Sequence, residues 1–169
     1  MKKFDYIKFQ EELKSSLINI FNDNKNDICG FALSSDEDAR SVTVSINTRL
    51  HLMNCWKEDE DEDNEYYKWY PAEWKLEAIN DDKINELSLI IFNLERTQNP
   101  DDDKRAIYEL LVDTLKQLKQ EGLFSSMDDN FVLVFNVTDS DDLERDLRWI
   151  SELNDKKLFS EYKSWSETW

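Results

Sequence analysis

Glycine and proline are nearly absent from this 169-residue chain, two of each. Collagen-like and linker-rich architectures are dominated by those residues and are therefore excluded. So is a glycine-rich phosphate loop, which two glycines cannot build. Cys29 and Cys55 are too few for a disulfide framework, and with His51 as the single histidine a closed zinc site lacks its ligands. Charge or amide side chains interrupt every apolar stretch, so none is long enough to span a bilayer. The opening Met-Lys-Lys-Phe-Asp-Tyr leads into no uninterrupted apolar region of secretory type. These absences together predict a protein of the reducing cytoplasm.

Positive charge is also short. Lysine and arginine number 21 against 38 aspartates and glutamates, a formal net charge of −17. A nucleic-acid-binding surface needs lysine and arginine to displace counterions from phosphates, and no basic stripe exists here. Neither nucleic acid nor an anionic membrane is expected as a partner. Excess charge of this size is destabilising through self-repulsion, so it serves either solubility or a basic partner. What the chain does contain is enough for a core, with 40% hydrophobic and 12% aromatic residues, and its length suits one domain.

Residues 4–22 place Phe9, Leu13, Leu17, Ile20 and Phe21 at helical spacing. Two strands follow, Cys29–Leu33 and Ser41–Asn47. In the second, Val42, Val44 and Ile46 alternate with polar residues, and the pair reads as a hairpin. Thr48 can cap a short helix through Trp56. Pro71 suits the first turn of a helix. From Asp81 to Glu95, Ile84, Leu87, Ile91 and Leu94 form a face that Ile90 and Phe92 widen. Asp101–Glu121 is the clearest helix, with Ile107, Leu111, Leu115 and Leu118 in line and Gly122 as a left-handed stop. Phe131–Val137 has the continuous apolar character of a central strand. Asp141 lies three residues before Glu144, a capping arrangement for a helix with Leu143, Leu147 and Ile150. The tail from Phe159 to Trp169 has no clear assignment. The expected class is α+β, a mostly antiparallel sheet of three or more strands with helices packed against it, in a single domain over 1–169.

Glu58, Asp59, Glu60, Asp61, Glu62 and Asp63 form an unbroken acidic run, extended by Glu65. Six like charges in a row repel one another and read as a solvated surface loop, here 58–65. Alternate aspartates suggest calcium, but an EF-hand loop starting at Asp59 needs glycine sixth and glutamate twelfth, where Asn64 and Tyr70 stand. No metal site is expected. His51 falls in a helical segment with no triad about it, and Cys29 between Ile28 and Gly30 reads as a buried thiol, so no catalytic residue is assigned. The aromatics Tyr66, Tyr67, Trp69, Tyr70 and Trp74 are either core or, where exposed beside the acids, a protein-binding hot spot.

The order of segments resembles a known family. Gly30-Phe-Ala-Leu-Ser-Ser-Asp-Glu-Asp-Ala39, Val44–Thr48, Tyr66-Tyr-Lys-Trp-Tyr-Pro-Ala-Glu-Trp74, the Glu-Gly-Leu-Phe at 121–124 and Phe135-Asn-Val-Thr-Asp-Ser-Asp-Asp142 are similar to the bacterial domain-of-unknown-function family 4303, over roughly 5–155. Tyr70 stands before the proline where that family commonly has a small hydroxyl residue, and the acidic run is peculiar to this chain. The resemblance implies a single-domain immunity protein that neutralises a cognate toxin by binding it, and it carries over no catalytic residue. The expectation is a cytoplasmic, non-enzymatic protein without cofactor that binds a toxin with a basic surface. Asp59, Asp61 and Asp63, their neighbours Glu58, Glu60 and Glu62, and Trp69 are the expected contacts. The rivals are an enzyme acting on a small substrate, with or without a carboxylate-bound metal, and a scaffold module.

Overall fold

The computed structural model describes residues 4–58 and 64–168. In chain order it contains α1 (Tyr6–Asn24), β1 (Ile28–Ser35), β2 (Thr43–Thr48), α2 (Arg49–Glu58), α3 (Asn64–Trp69), a 3-10 turn at Pro71–Glu73, α4 (Asp82–Phe92), α5 (Pro100–Gln120), β3 (Val132–Val137), α6 (Leu143–Leu153) and α7 (Lys156–Ser166). The class is α+β, as expected. The sheet has the order β2-β1-β3, with β1 antiparallel to β2 and parallel to β3.

The sheet is therefore mixed, and the expectation of a mostly antiparallel one is corrected. β3 is also an edge strand; the centre belongs to β1. The apolar run at 131–137 misleads because β3 is covered on both faces. Phe31, Leu33, Val44, Ile46, Leu133 and Phe135 point into a core shared with α1, α4 and α5. Ala32, Val132 and Val134, of opposite parity, meet Trp69, Trp74, Ile150, Leu158, Tyr162 and Trp165. A period of two puts alternate residues on opposite faces, so a strand buried on both reads as continuously apolar wherever it stands in the sheet.

Both outer edges of the sheet are closed without a fourth strand. Beside β2, Leu76 exchanges backbone hydrogen bonds with Ile46 at 3.0 and 2.9 Å, and Ile79 N–H donates to Val44 at 2.8 Å. Beside β3, the buried Asn154 side chain takes the place of a strand. Its Oδ1 accepts from Leu133 N–H at 2.9 Å and its Nδ2 donates to the Leu133 carbonyl at 2.7 Å. The edge groups of Ile46 and Leu133 and the Val44 carbonyl are thus satisfied, which works against edge-to-edge association there.

Local signals account for most helix ends. Asp5 caps α1 by accepting from Lys8 N–H at 3.0 Å. Pro100 opens α5, whose buried face carries Ile107, Leu111, Leu115 and Leu118. Gly122 ends it at φ 85°, where Leu123 N–H reaches back to the Leu118 carbonyl at 3.0 Å. The cap of α6 is Asp142, one residue later than the Asp141 expected from the sequence, and it accepts from Arg145 N–H at 3.1 Å. Ile90 and Phe92 do not widen the buried face of α4; both are exposed with Leu89. The tail is helical as α7, capped by Asp155 and anchored through Leu158, Tyr162 and Trp165.

Candidate functional site

Helix α2 begins at the amino end of β1 because Asp27 holds it there. Asp27 sits at φ 63°, its carbonyl accepts from Arg49 N–H at 2.9 Å, and its Oδ2 accepts from Leu50 N–H at 3.0 Å. Thr48 Oγ1 adds a bond from His51 N–H at 3.3 Å, as the sequence predicts for a cap. Only Leu52 of α2 is buried. Leu50, Met53 and Trp56 of the same helix, spaced three apart, are 65%, 48% and 39% exposed. Three large apolar side chains therefore stand in water in a row along one helix face.

That row runs into the acidic stretch. Glu58, the last residue of α2, is exposed; Asp59, Glu60, Asp61, Glu62 and Asp63 lie outside the described residues. The two sides of the run are tied together, since Trp56 Nε1–H donates to the Asn64 carbonyl at 2.8 Å. This bond fixes the indole while leaving its face partly open.

Trp69, an expected contact residue, is 2% exposed. Its Nε1–H donates to Glu65 at 2.9 Å, and its ring meets Tyr162 of α7 edge-on at 5.2 Å. Lys68 pairs with Glu161 on the same helix. Trp69 thus docks α3 onto α7 and offers a partner no free ring; Glu65, too, turns inward. The buried Trp74 packs against Gly30, where a Cβ would stand 2.9 Å from its Cη2. Of the five aromatics in this segment Trp69 and Trp74 are buried, Tyr66 and Tyr67 half-buried and Tyr70 exposed. The exposed tryptophan beside the acids is Trp56, and its signal in the sequence was the three-residue spacing Leu50, Met53, Trp56 on a helix with one buried position.

The possible nucleophiles are arranged against activation. His51 Nε2 lies 2.9 Å from the Glu73 carbonyl and 3.5 Å from Cys55 Sγ. A carbonyl only accepts, so Nε2 bears the proton and is not a free base for the thiol. Burial pushes the Cys55 thiol up, and it pushes Cys29, at a bulge in β1, up to about 12. An activated thiol has the opposite shift. Among the described residues no cluster of histidine, cysteine or carboxylate could hold a metal ion.

A cleft of about 1070 Å³ opens at the other end of the sheet, beyond the carboxyl ends of β1 and β3 and between α5 and α6. Its guanidinium groups are engaged. Arg145 lies 4.8 Å from the Trp149 ring and bonds Ser140 and Asp146 at 3.0 and 3.1 Å. Arg148 pairs with Glu109, and Arg105 pairs with Asp102 at 2.7 Å. At the rim, Glu37, Asp101 and Glu144 have no cation partner among the described residues. The cleft thus offers an incoming ligand carboxylates, with its cations already used.

A family model for a domain of unknown function, DUF4303, matches residues 10–155, from the second turn of α1 to the cap of α7. The chain belongs to this family. No curated protein and no solved structure matches it. Within the DUF4303 span lie the whole sheet, α2 and the acidic run; α7, which packs on the tryptophan-rich face, lies beyond it. Among the described residues no helix is long and apolar enough to cross a membrane.

Proposed function

We propose that this DUF4303 chain is a cytoplasmic bacterial immunity protein that binds and neutralises a cognate toxin, a nuclease or another enzyme with a basic cleft for anionic substrates. The observation that carries the reading is the exposed row Leu50, Met53 and Trp56 leading directly into the run that starts at Glu58. Apolar anchors followed by a run of charge of one sign are the composition of a binding hot spot with an electrostatic guide. A cleft built for phosphates is lined by lysine and arginine, so clustered carboxylates are complementary to it. The net charge of −17 gives the same partner preference at longer range.

The two parts have separate roles. Charge accelerates encounter, and buried anchors set the lifetime of the complex. Trp56 is held in place by its bond to Asn64, so little side-chain freedom remains to be lost on binding.

The test is to mix the protein with the toxin encoded beside its gene and follow both complex formation and toxin activity. A stable complex with loss of toxin activity is expected. Trp56→Ala should weaken it by about 2 kcal/mol, roughly thirtyfold in Kd, mostly through faster dissociation. Absence of both complex and protection would end the proposal.

A further inference from the structure

The end of α3 presents aromatic rings and a carboxylate with no cation between them. Pro71 has no N–H to continue the helix, so α3 stops at Trp69 and the chain tightens into the 3-10 turn at Pro71–Glu73. The Tyr67 carbonyl left over is taken by Asn47 Nδ2–H at 3.1 Å. Glu73 N–H donates back to the Tyr70 carbonyl at 3.0 Å, which returns its side chain to the helix it has just left. There Glu73 Oε1 accepts from the Tyr66 hydroxyl at 3.2 Å. His51 Nε2–H, donating to the Glu73 carbonyl at 2.9 Å, ties the turn to α2.

Tyr66 and Tyr70, four residues apart on one helix face, stack with ring centres 5.1 Å apart and planes 21° from parallel. Tyr67 meets Tyr66 edge-on at 5.4 Å. One face of the Tyr70 ring is thus covered by Tyr66, and its 41% exposure belongs to the other face and the edge. Glu73 is exposed as well. Burial, and next the charge of Glu73, push the Tyr66 phenol up to about 12, so Tyr66 stays a donor and the negative charge stays on Glu73. Among the described residues no cation pairs with that carboxylate; Lys68, the lysine of α3, pairs with Glu161 of α7 instead.

We propose that Tyr70 and Glu73 receive one arginine side chain of the basic partner. A guanidinium is planar, stacks on a tyrosine face and offers a fork of N–H donors to a carboxylate. Both elements stand here three residues apart, on side chains already ordered by the stack and by the Tyr66–Glu73 bond, so little freedom remains to be lost. A nucleotide could stack on the same ring, but its phosphate would meet Glu73 and a chain of net charge −17. The inference rests on the docking reading for the source of the arginine, and it extends the contact surface from α2 to the tyrosines. Arginine binding itself is measurable without the toxin.

N-acetylarginine amide titrated into labelled protein at constant ionic strength, followed by NMR of tyrosine rings and backbone amides, tests the proposal. Weak but saturable shifts centred on Tyr70 and Glu73 are expected, and none with the neutral isostere N-acetylcitrulline amide. Tyr70→Leu keeps bulk without a π face, and Glu73→Gln keeps shape without charge. Each should weaken binding by roughly threefold or more, whereas Tyr70→Phe should match the native protein. Equal shifts with the citrulline amide, or an unaltered affinity in either Tyr70→Leu or Glu73→Gln, would overturn the proposal. In the complex with the toxin encoded beside the gene, Tyr70→Leu should raise Kd by a similar factor. A complex weakened by Trp56→Ala but not by Tyr70→Leu would overturn this inference and spare the docking reading. Absence of any complex would end the docking reading alone, with the arginine titration still deciding this one.

Discussion

Replacing Asn154 with alanine tests whether a side chain can finish a sheet. The residue is buried and joins both polar groups of Leu133 on β3, with a further bond from Nδ2 to the Ile150 carbonyl at 3.2 Å. Alanine leaves the Leu133 N–H and carbonyl without partners inside the protein. Each unsatisfied buried group costs about 1–3 kcal/mol, so the loss should be about 2–5 kcal/mol. In a domain of this size that lowers Tm by roughly 2–4 °C for each kcal/mol. Urea denaturation reads it as a lower midpoint at unchanged slope. The exposed edge should also make the variant prone to association through β3. A loss below about 0.5 kcal/mol, within the range of an ordinary surface substitution, would refute the reasoning, because Leu133 would then be satisfied without the amide.

Other expectations follow from single contacts. Gly30→Ala sets a Cβ 2.9 Å from Trp74 Cη2 and 3.2 Å from Val132 Cγ2, and overpacking of this kind costs about 1–3 kcal/mol. Unchanged stability in urea would mean that the indole can yield. Under native conditions iodoacetamide should modify Cys55, whereas Cys29, buried and pushed up to about 12, should react only after unfolding; mass spectrometry of peptides distinguishes the two, and early labelling of Cys29 would contradict the fold at β1. Burial raises the Asp146 carboxyl above the ordinary aspartate value, against the pull of Arg145. The folded state then holds this proton more tightly, so stability falls as pH rises from the ordinary value to the raised one. Asp146→Asn lacks that loss. Its stability relative to the parent should improve across the same interval and then level, and a pH-independent gap would show that burial does not govern this group.

Much of the fold could be read residue by residue. The stripe Phe9, Leu13 and Leu17, the alternation at 42–46, the line Ile107, Leu111 and Leu115, and the stop at Gly122 are all local patterns with local causes. What escaped depends on distant partners. Nothing near 131–137 reveals that α5 covers one face of β3 and α7 the other, or that Asn154 closes its edge. The exposure of Ile90 and Phe92 follows from where α1 and β2 meet α4, not from the spacing on α4 itself. In the candidate site, the acidic run was plain in the sequence. Trp69, expected beside it, is buried because Glu65 and Tyr162 draw that ring inward, while Trp56 stays half out.

The claim that matters most is that acidic charge guides this protein onto a basic partner. Its most direct test is stopped-flow association with the toxin encoded beside the gene, across a salt series, for the native protein and for a variant carrying Gln at Glu58, Glu60 and Glu62 and Asn at Asp59, Asp61 and Asp63. The native rate should fall steeply with salt, and the variant should associate at least about tenfold more slowly at low salt with a flatter dependence. Equal rates with equal salt dependence would contradict the account and leave the run as a device for solubility alone.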